Sequence, residues 1–544
     1  MKKIELKLEN KTIEVDQYSN LQDIFKERNI IVARTNNKIV SINSNINCSC
    51  TVEPIYTNTE PGARAYRQTL CFILSMAAKE LFPNKKLIIG HSLGHSFYYY
   101  FLDETVNPEI LDQLKIKMKE IIEKDIPINE NYMTWSRAVD YFNSLKQHDT
   151  AKLLEYKTDD TVKIVECNGF KELYHMPLAP STGYIHKFNL INKSTGFLLH
   201  FPNSSHPETL TPINEMPVIF NIFQDYKKWV KIQEVHCVGK LNELSYTKNI
   251  RHFIKLSETE HDRQIVNIAS KIKENVDSVK TILIAGPSSS GKTTFSKKLA
   301  LALEIIGIKP INISLDDYYL PHDQVPLDEF GEKDLETVHA LNINLLNDNL
   351  VDLLDGKETY IPLNDFKNGI QTLQGRKLQV HSNNVLILEG IHALNDELTA
   401  KIPKKSKFKI YISALTGLNL DDNNRISSTD NRLLRRMVRD YNFRRYSADN
   451  TFNIWPSVNR GEKKNIFPYQ GSADIAFNSA LPYEIAVLKI YAEPLLKTIT
   501  PENKNYNEAV RMLNLLNNFA PIPEDLVPSD SLLREFIGKS YFKY

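Results

Sequence analysis

Eight consecutive residues, from Gly286 to Thr293, have the types and the spacing of a loop that binds phosphate. They read Gly-Pro-Ser-Ser-Ser-Gly-Lys-Thr and satisfy the pattern GxxxxGK[ST] at every specified position. Glycine lets the backbone wrap closely around an anion, and the loop amides and the following helix N-terminus face the phosphates. We expect Lys292 to reach the terminal phosphates and the Thr293 hydroxyl to hold Mg²⁺. An ordinary glycine turn before a helix is the alternative interpretation.

The residues around this loop favour phosphate binding. Residues 281–285 read as a short buried strand, and residues 295–306 read as a helix that ends at Gly307. Strand, glycine-rich loop and helix form the setting in which this motif binds nucleotides. The predicted ATP-binding residues are those of the loop and its first successor: Gly286, Ser288, Ser289, Ser290, Gly291, Lys292, Thr293 and Thr294.

Two carboxylates follow further strands of the same half of the chain. Apolar runs at 310–314, 385–388, 408–412 and 473–477 alternate with helical patterns, which predicts an α/β fold with a parallel sheet. Ligands bind at the carboxyl ends of such strands, where Asp316 and Glu389 lie. Asp316 suits a base that orients an attacking hydroxyl, and Glu389 suits Mg²⁺. A helix cap or a strand-end turn is the alternative for each.

Basic residues crowd one side of a predicted helix: Arg432, Arg435, Arg436 and Arg439. Like charges at these spacings repel each other, so an anion is expected to compensate them. A triphosphate held by a closing lid is the interpretation that the phosphate loop favours. A solvated face paired with Asp430 and Asp440 is one alternative, and RNA binding is another.

Residues 278–490 resemble the uridine kinase and phosphoribulokinase family. The resemblance rests on the phosphate loop and on the segments at 314–319, 334–336, 364–366, 389–391 and 432–440. It implies a P-loop kinase fold and the ATP- and Mg²⁺-dependent phosphorylation of a small hydroxyl compound. It makes Asp316, Lys292, Arg436 and Arg439 the catalytic residues, and Thr293 and Glu389 the metal ligands. It also implies these substrate contacts: Asp316, Tyr318, Glu336, Asn364, Asp365, Phe366 and Arg436.

The acceptor named by this resemblance is a nucleoside, uridine or cytidine, phosphorylated on its 5′-hydroxyl. The chain departs from the family at three places in the nucleoside pocket, one of which is the family's downstream histidine, whose position falls near Gly369. It has Glu336-Thr337-Val338-His339-Ala340 in place of Asp-His-Pro-Asp-Ala, and Asn364 in place of a tyrosine. Another sugar or alcohol acceptor is therefore the alternative, and an RNA- or nucleotide-responsive ATPase switch is a third hypothesis.

The first 225 residues resemble the front of threonyl-tRNA synthetases. Residues 1–60 resemble the TGS domain, a small β-grasp unit, and residues 61–225 resemble the second additional domain, an α+β editing domain. The cues are Leu81-Phe82-Pro83, the segment 89–101, and Pro180 to Gly183. The positions of the editing HxxxH and Cys/His pairs hold other residues: Gln68, Phe72, Tyr174 and Leu178. None of Gln, Phe or Leu supplies that metal or proton chemistry, so tRNA editing is not expected; tRNA binding stays open.

The remaining segments are a helical connector at 226–277 and closing helices at 491–544 that are expected to pack on the kinase domain. The 544 residues are 42% hydrophobic and 24% charged, with a net charge of +1, as in a globular protein without a broad nucleic-acid surface. No apolar run approaches the roughly 18 residues that span a bilayer, so no membrane partner is expected. Five cysteines suggest reduced thiols and a cytoplasmic setting. A homo-oligomer remains open.

Overall fold

The computed structural model describes residues 2–9, 11–213, 216–329, 331–365 and 370–544. The N-terminal part is a mixed five-stranded sheet with strand order β2-β1-β5-β3-β4 and one short helix, α1. Its elements are β1 Lys3–Leu8, β2 Lys11–Asp16, α1 Leu21–Ile24, β3 Ile30–Thr35, β4 Lys38–Val40 and β5 Cys50–Tyr56. Alternating residues such as Ile4 and Leu6 are buried on one face of β1, which is the period that a half-buried strand requires.

Residues 60–200 form an α+β unit around the long helix α2. This helix begins at the cap Thr59, whose side chain accepts from the Gly62 amide, and every residue from Leu70 to Ala78 is buried, so the helix is enclosed on all sides there. The sheets of the unit have the orders β10-β9-β8 and β11-β12-β7-β6. The elements are α2 Glu60–Leu81, β6 Leu87–Ser92, β7 Ser96–Phe101, α3 Pro108–Glu123, β8 Asn129–Thr134, α4 Trp135–Ser144, α5 His148–Glu155, β9 Thr161–Cys167, β10 Phe170–Glu172, β11 Asn189–Lys193 and β12 Gly196–His200.

Three helices connect this unit to the C-terminal half: α6 Pro217–Ile232, α7 Val238–Ser245 and α8 Asn249–Glu274. Helix α8 packs on the sheet that follows through Ile265, Ile268 and Ile272, which share a core with strand residue Ile282. The connector is therefore structured, and its last helix, α8, belongs to the core of the C-terminal half.

The C-terminal half contains the predicted parallel sheet. Its strand order is β14-β17-β13-β18-β19, and every pairing within it is parallel. Strand β13 at the centre is fully buried, as expected for a parallel strand covered on both faces. The elements are β13 Thr281–Ala285, α9 Lys292–Ile305, β14 Lys309–Ser314, α10 Ile343–Leu354, β15 Thr359–Asp365, β16 Ile370–Leu378, β17 Asn384–Glu389, β18 Lys407–Ser413, α11 Ser428–Arg439, α12 Ala448–Asn465, β19 Ile475–Asn478, α13 Glu484–Leu496, α14 Tyr506–Leu516 and α15 Arg534–Ile537.

Candidate active site

The phosphate loop joins the central strand β13 to helix α9, and its backbone favours glycine at two points. A Cβ atom on Gly286 would lie 2.0 Å from the Ile412 carbonyl oxygen. Gly291 has φ +84°, a left-handed conformation that other residues adopt at a cost. The side-chain hydroxyls of Ser289 and Ser290 are buried without a hydrogen-bond partner in the described part of the chain. Unpaired buried donors at a helix N-terminus fit an anion such as the phosphates of ATP.

Glu389 lies beside the first turn of α9. Its Oε1 atom accepts from the hydroxyls of Thr293 and Ser314, each at 3.3 Å. Burial and the neighbouring charge of Asp316 raise the pKa of Glu389 to about 7, against the opposing charge of Lys292. Hard oxygen donors at the end of a phosphate loop fit Mg²⁺, so Thr293 and Glu389 are placed to hold this ion.

Asp316 lies in a 3₁₀ turn directly after β14 and opens into the same cleft. Desolvation by the surrounding protein raises the pKa of the Asp316 carboxyl, while the charges of Lys292, Arg444 and Arg439 lower it. The structure thus brings the predicted base within electrostatic reach of the phosphate-loop lysine and two arginines. This proximity is what a base that orients a hydroxyl towards a phosphate requires.

The predicted substrate contacts divide into three groups. Glu336 reaches the cleft: its Oε2 atom is buried without a hydrogen-bond partner among the described residues, and burial, with Glu462 adding, raises its pKa to about 7. Asn364 also reaches it, with its Nδ2 atom 3.4 Å from the Asp316 carbonyl oxygen. Tyr318 does not, because its side chain is fully buried and its hydroxyl accepts from Asn349 at 3.1 Å.

Asp365 and Phe366 are two further predicted substrate contacts. Phe366 and the side chain of Asp365 lie outside the described part of the structure. Asp365 is the last residue of β15, the strand that pairs with β16 in the small antiparallel ribbon beside the cleft.

Helix α11 carries the arginine cluster, and protein carboxylates compensate two of its charges. Arg432 forms a buried ion pair with Glu462, and Arg435 forms one with Glu484 at 2.5 Å. Leu433 and Leu434 are buried on the same helix. Arg432 and Arg435 also donate to the carbonyl oxygens of Ser288 and Ser289 in the phosphate loop, at 3.1 and 3.4 Å. The helix is thus part of a packed core where the sequence predicted a closing lid.

The other two arginines of this helix, Arg436 and Arg439, pair with Asp440 at the end of the helix. The Nη1 atom of Arg436 donates to the Ser288 hydroxyl at 2.8 Å, and its Nε atom lies 3.2 Å from Asp440. Arg439 lies 3.3 Å from Asp440. Burial lowers the pKa of Arg436, and the charge of Arg439 adds to the effect. These two guanidinium groups share the single carboxylate of Asp440.

The structure also places residues at the loop that the sequence did not indicate. Glu462 accepts from the Ser288 amide at 2.9 Å, and Glu535 accepts from the amide of Thr294 at 3.1 Å. The hydroxyl of Tyr544 lies 2.7 Å from the Thr294 hydroxyl. Both glutamates are far from the loop in sequence and belong to no motif, so only the fold reveals them.

In the N-terminal half, the four positions that carry editing residues in threonyl-tRNA synthetases now belong mostly to the core. Phe72, Tyr174 and Leu178 are buried, and the rings of Phe72 and Tyr174 meet edge to face at 5.6 Å. Gln68 is half-buried. Apolar packing thus occupies the place where metal or proton chemistry would need polar groups.

The parallel sheet, the phosphate loop and the two carboxylates at strand ends define a P-loop kinase domain. Residues 281–485 match the model of the Phosphoribulokinase / Uridine kinase family. Among the helices that the structure describes, none combines the length and the apolar character that crossing a membrane requires.

The N-terminal region is similar to threonine–tRNA ligases. The ligase of Nitratidesulfovibrio vulgaris strain DP4 is 27% identical over 169 residues, covering 31% of this chain and 26% of the ligase. The ligase of Aquifex aeolicus is 30% identical over 205 residues, covering 36% of this chain and 32% of the ligase. The chain thus spans between a quarter and a third of the length of these relatives.

Solved structures of kinases align with part of the chain. A putative fructose transport system kinase from Silicibacter sp. TM1040 covers 39% of this chain and 98% of its own, with 16% identity and a TM-score of 0.28. A possible uridine kinase from Bacillus stearothermophilus covers 38% of this chain and 100% of its own, with 15% identity and a TM-score of 0.25.

Proposed function

We propose that the protein transfers the γ-phosphate of ATP to a hydroxyl group of a small molecule. The observation that carries this proposal is the meeting of three groups at the carboxyl edge of the parallel sheet. They are the phosphate loop with its unpaired donors, Glu389 at 3.3 Å from Thr293, and Asp316 within the field of Lys292. The family match of residues 281–485 supports the same conclusion.

Each residue has a role in the transfer. The loop amides and Lys292 bind and orient the phosphates of ATP. Asp316 orients the acceptor hydroxyl and takes its proton as the hydroxyl oxygen bonds to the γ-phosphorus and the bond to ADP breaks. Arg436 and Arg439 stabilise the negative charge on the phosphoryl group. Mg²⁺, which Thr293 and Glu389 would hold, would neutralise part of the negative charge of the phosphates.

The acceptor that we propose first is a nucleoside, uridine or cytidine, phosphorylated on its 5′-hydroxyl. Support comes from Glu336, whose unpartnered Oε2 atom is available to accept from ribose hydroxyls. An unpaired carboxylate oxygen in a cleft discriminates strongly in favour of ligands that donate to it.

A different sugar or alcohol acceptor is the second candidate, and Asn364 is the observation that favours it. Its side-chain amide lies 3.4 Å from the Asp316 carbonyl oxygen, at a position where the kinase family carries an aromatic ring. An amide offers a hydrogen bond and less surface for stacking a base, which suits a smaller polar acceptor.

The test is to incubate the protein with ATP, Mg²⁺ and a panel of nucleosides, sugars and small alcohols, and to identify phosphorylated products by mass spectrometry. UMP or CMP would establish a nucleoside kinase, and another phosphorylated product would establish the second candidate. ADP formation without any phosphorylated acceptor would contradict both and favour an ATPase switch.

The variant Asp316→Asn tests the role of the base. We expect turnover to fall by about 10²- to 10⁴-fold, while ATP binding measured by calorimetry stays close to that of the wild type. Asp323→Asn is the matched control, because Asp323 is an exposed residue of the following loop. An equal loss of turnover and ATP binding in Asp316→Asn would show that Asp316 is structural.

A further inference from the structure

A second cavity lies between the N-terminal α+β unit and the kinase domain, apart from the phosphate loop. It has a volume of about 490 Å³, within the range of pockets that hold small molecules. Strands β6 and β7, helix α6 and the segment 416–422, which connects β18 to α11, form its walls. Neither the phosphate-loop residues nor Asp316 and Glu389 line this cavity.

One wall carries a cation that lacks a counter-ion. Lys227 of α6 is half-buried, and its Nζ atom lies 2.7 Å from the centroid of the Tyr100 ring. It forms no ion pair with a carboxylate of the described chain, whereas Lys231, one turn further, pairs with Asp103. Burial, with the charge of Lys231 adding, lowers the pKa of Lys227 to about 7. An anion bound beside Lys227 would offset this cost of burial.

The cavity lining also carries a carboxylate oxygen that lacks a donor. Asp422 is 5% exposed; its Oδ1 atom pairs with Lys86 at 3.0 Å, and its Oδ2 atom is buried with no hydrogen-bond partner among the described residues. The ring atom Nε2 of His91 is buried and unpartnered in the same way. Buried polar atoms are nearly always paired, so each of these two atoms has room in the cavity for a hydrogen-bond partner.

Aromatic rings form the surface between these charges. Tyr98 and Tyr100 are stacked with centroids 6.0 Å apart, and His91 is stacked on Phe223 at 3.8 Å. These rings line the cavity; His91, Tyr98 and Phe223 are buried, so a planar group would stack on the side of the half-buried Tyr100. The cavity therefore offers a site for an anion, a site for a hydrogen-bond donor, and flat walls between them.

We propose that this cavity binds a nucleotide-sized molecule that carries a phosphate, hydroxyl donors and a planar base. The phosphate would lie at Lys227, the hydroxyl or amine donors at Asp422, and the base against the aromatic rings. A single small anion would leave the Asp422 oxygen and the rings unused, and an apolar molecule would leave Lys227 without a counter-ion.

The cavity is connected to the kinase site through the segment that carries Asp422. The Ile89 amide donates to the Asp422 carbonyl oxygen at 2.9 Å, and the Asn419 side chain donates to the Ile89 carbonyl oxygen at 2.7 Å. The segment continues into α11, where Arg436 contacts Ser288 of the phosphate loop. A ligand at Asp422 thus touches the segment that leads to the arginine helix. An effect of this ligand on catalysis rests on the proposed function, whereas its binding to the cavity does not.

The test measures binding of UMP, AMP and inorganic phosphate to the full-length chain by calorimetry. Lys292→Ala in every sample weakens binding at the phosphate loop, and the comparison with Lys227→Ala separates the second cavity from the acceptor side of the kinase cleft, where UMP also fits. We expect one UMP or AMP to bind per chain, and Lys227→Ala to weaken it at least about tenfold. Lys228→Ala is the matched control, because Lys228 is exposed and pairs with Asp225.

Three results would overturn the proposal: no nucleotide binding to the Lys292→Ala protein, equal affinity after Lys227→Ala, or inorganic phosphate that binds as tightly as UMP. Asp422→Asn provides a second variant, with a loss of affinity expected, should Lys227→Ala lower the melting temperature. Turnover of the otherwise wild-type enzyme then tests the connection, since a response to AMP should disappear with Lys227→Ala. Failure of the kinase assay would leave the binding result intact.

Discussion

The C-terminal segment places a carboxylate at the point of the phosphate loop where ATP is expected to bind. The Oε2 atom of Glu535 accepts from the Thr294 amide at 3.1 Å and from the Thr294 hydroxyl at 2.7 Å. Thr294 is in the first turn of α9, where the helix dipole favours an anion. Glu535 therefore competes with the triphosphate for the same amide, and the variant Glu535→Gln isolates its charge.

The size of the effect follows from the energy of this contact. A carboxylate at a helix N-terminus stabilises by about 0.3–1 kcal/mol, and by up to about 2 kcal/mol when partly buried. Glutamine keeps an acceptor oxygen for Thr294 but loses the charge that repels phosphate. We expect the affinity for ATP to rise about two- to thirtyfold in Glu535→Gln.

Calorimetric titration of ATP in the presence of Mg²⁺ checks this prediction. The matched control is Asp525→Asn, which removes one negative charge from an exposed site in the same segment and should leave the affinity unchanged. An affinity that falls or stays constant in Glu535→Gln would refute the reasoning, and it would mean that Glu535 supports nucleotide binding.

Two further variants test the electrostatics of the interior. Glu462→Gln leaves the buried charge of Arg432 uncompensated and should lower the free energy of unfolding by about 3–5 kcal/mol, measured in urea; Glu493→Gln, at an exposed pair, should cost less than about 1 kcal/mol. Glu172 is fully buried, and burial, with Asp421 adding, raises its pKa to about 8. The folded state therefore binds its proton more tightly than the unfolded state, so stability should decrease as the pH rises from about 4.5 to about 8. Glu172→Gln should remove this part of the pH slope, and an unchanged slope would assign it to other groups.

The catalytic half was largely predictable from the sequence, because its signals are local. The strand at 281–285, the phosphate loop and the four other strands of the parallel sheet each follow from a few adjacent residues. The carboxylates Asp316 and Glu389 could be placed because the ends of parallel strands meet at one edge.

What the sequence did not predict depends on distant parts of the chain. Glu462 and Glu484 compensate the charges of Arg432 and Arg435, yet nothing in their own sequence surroundings marks them as partners of this helix. Tyr318 was assigned to the substrate because of its motif, but tertiary packing placed its side chain in the core.

The N-terminal sheet and helix α2 are joined to residues that are synthesised more than 440 residues later. Asn37 donates to the Pro501 carbonyl oxygen across 464 residues, the Ile39 amide donates to Asn507, and Arg64 pairs with Glu508. Local contacts form early during synthesis, and contacts of such separation form late. On the ribosome, these contacts therefore cannot form until helix α14 has been synthesised. Until then, the two ends of the molecule assemble as separate pieces, and a pause before residue 501 would prolong that state.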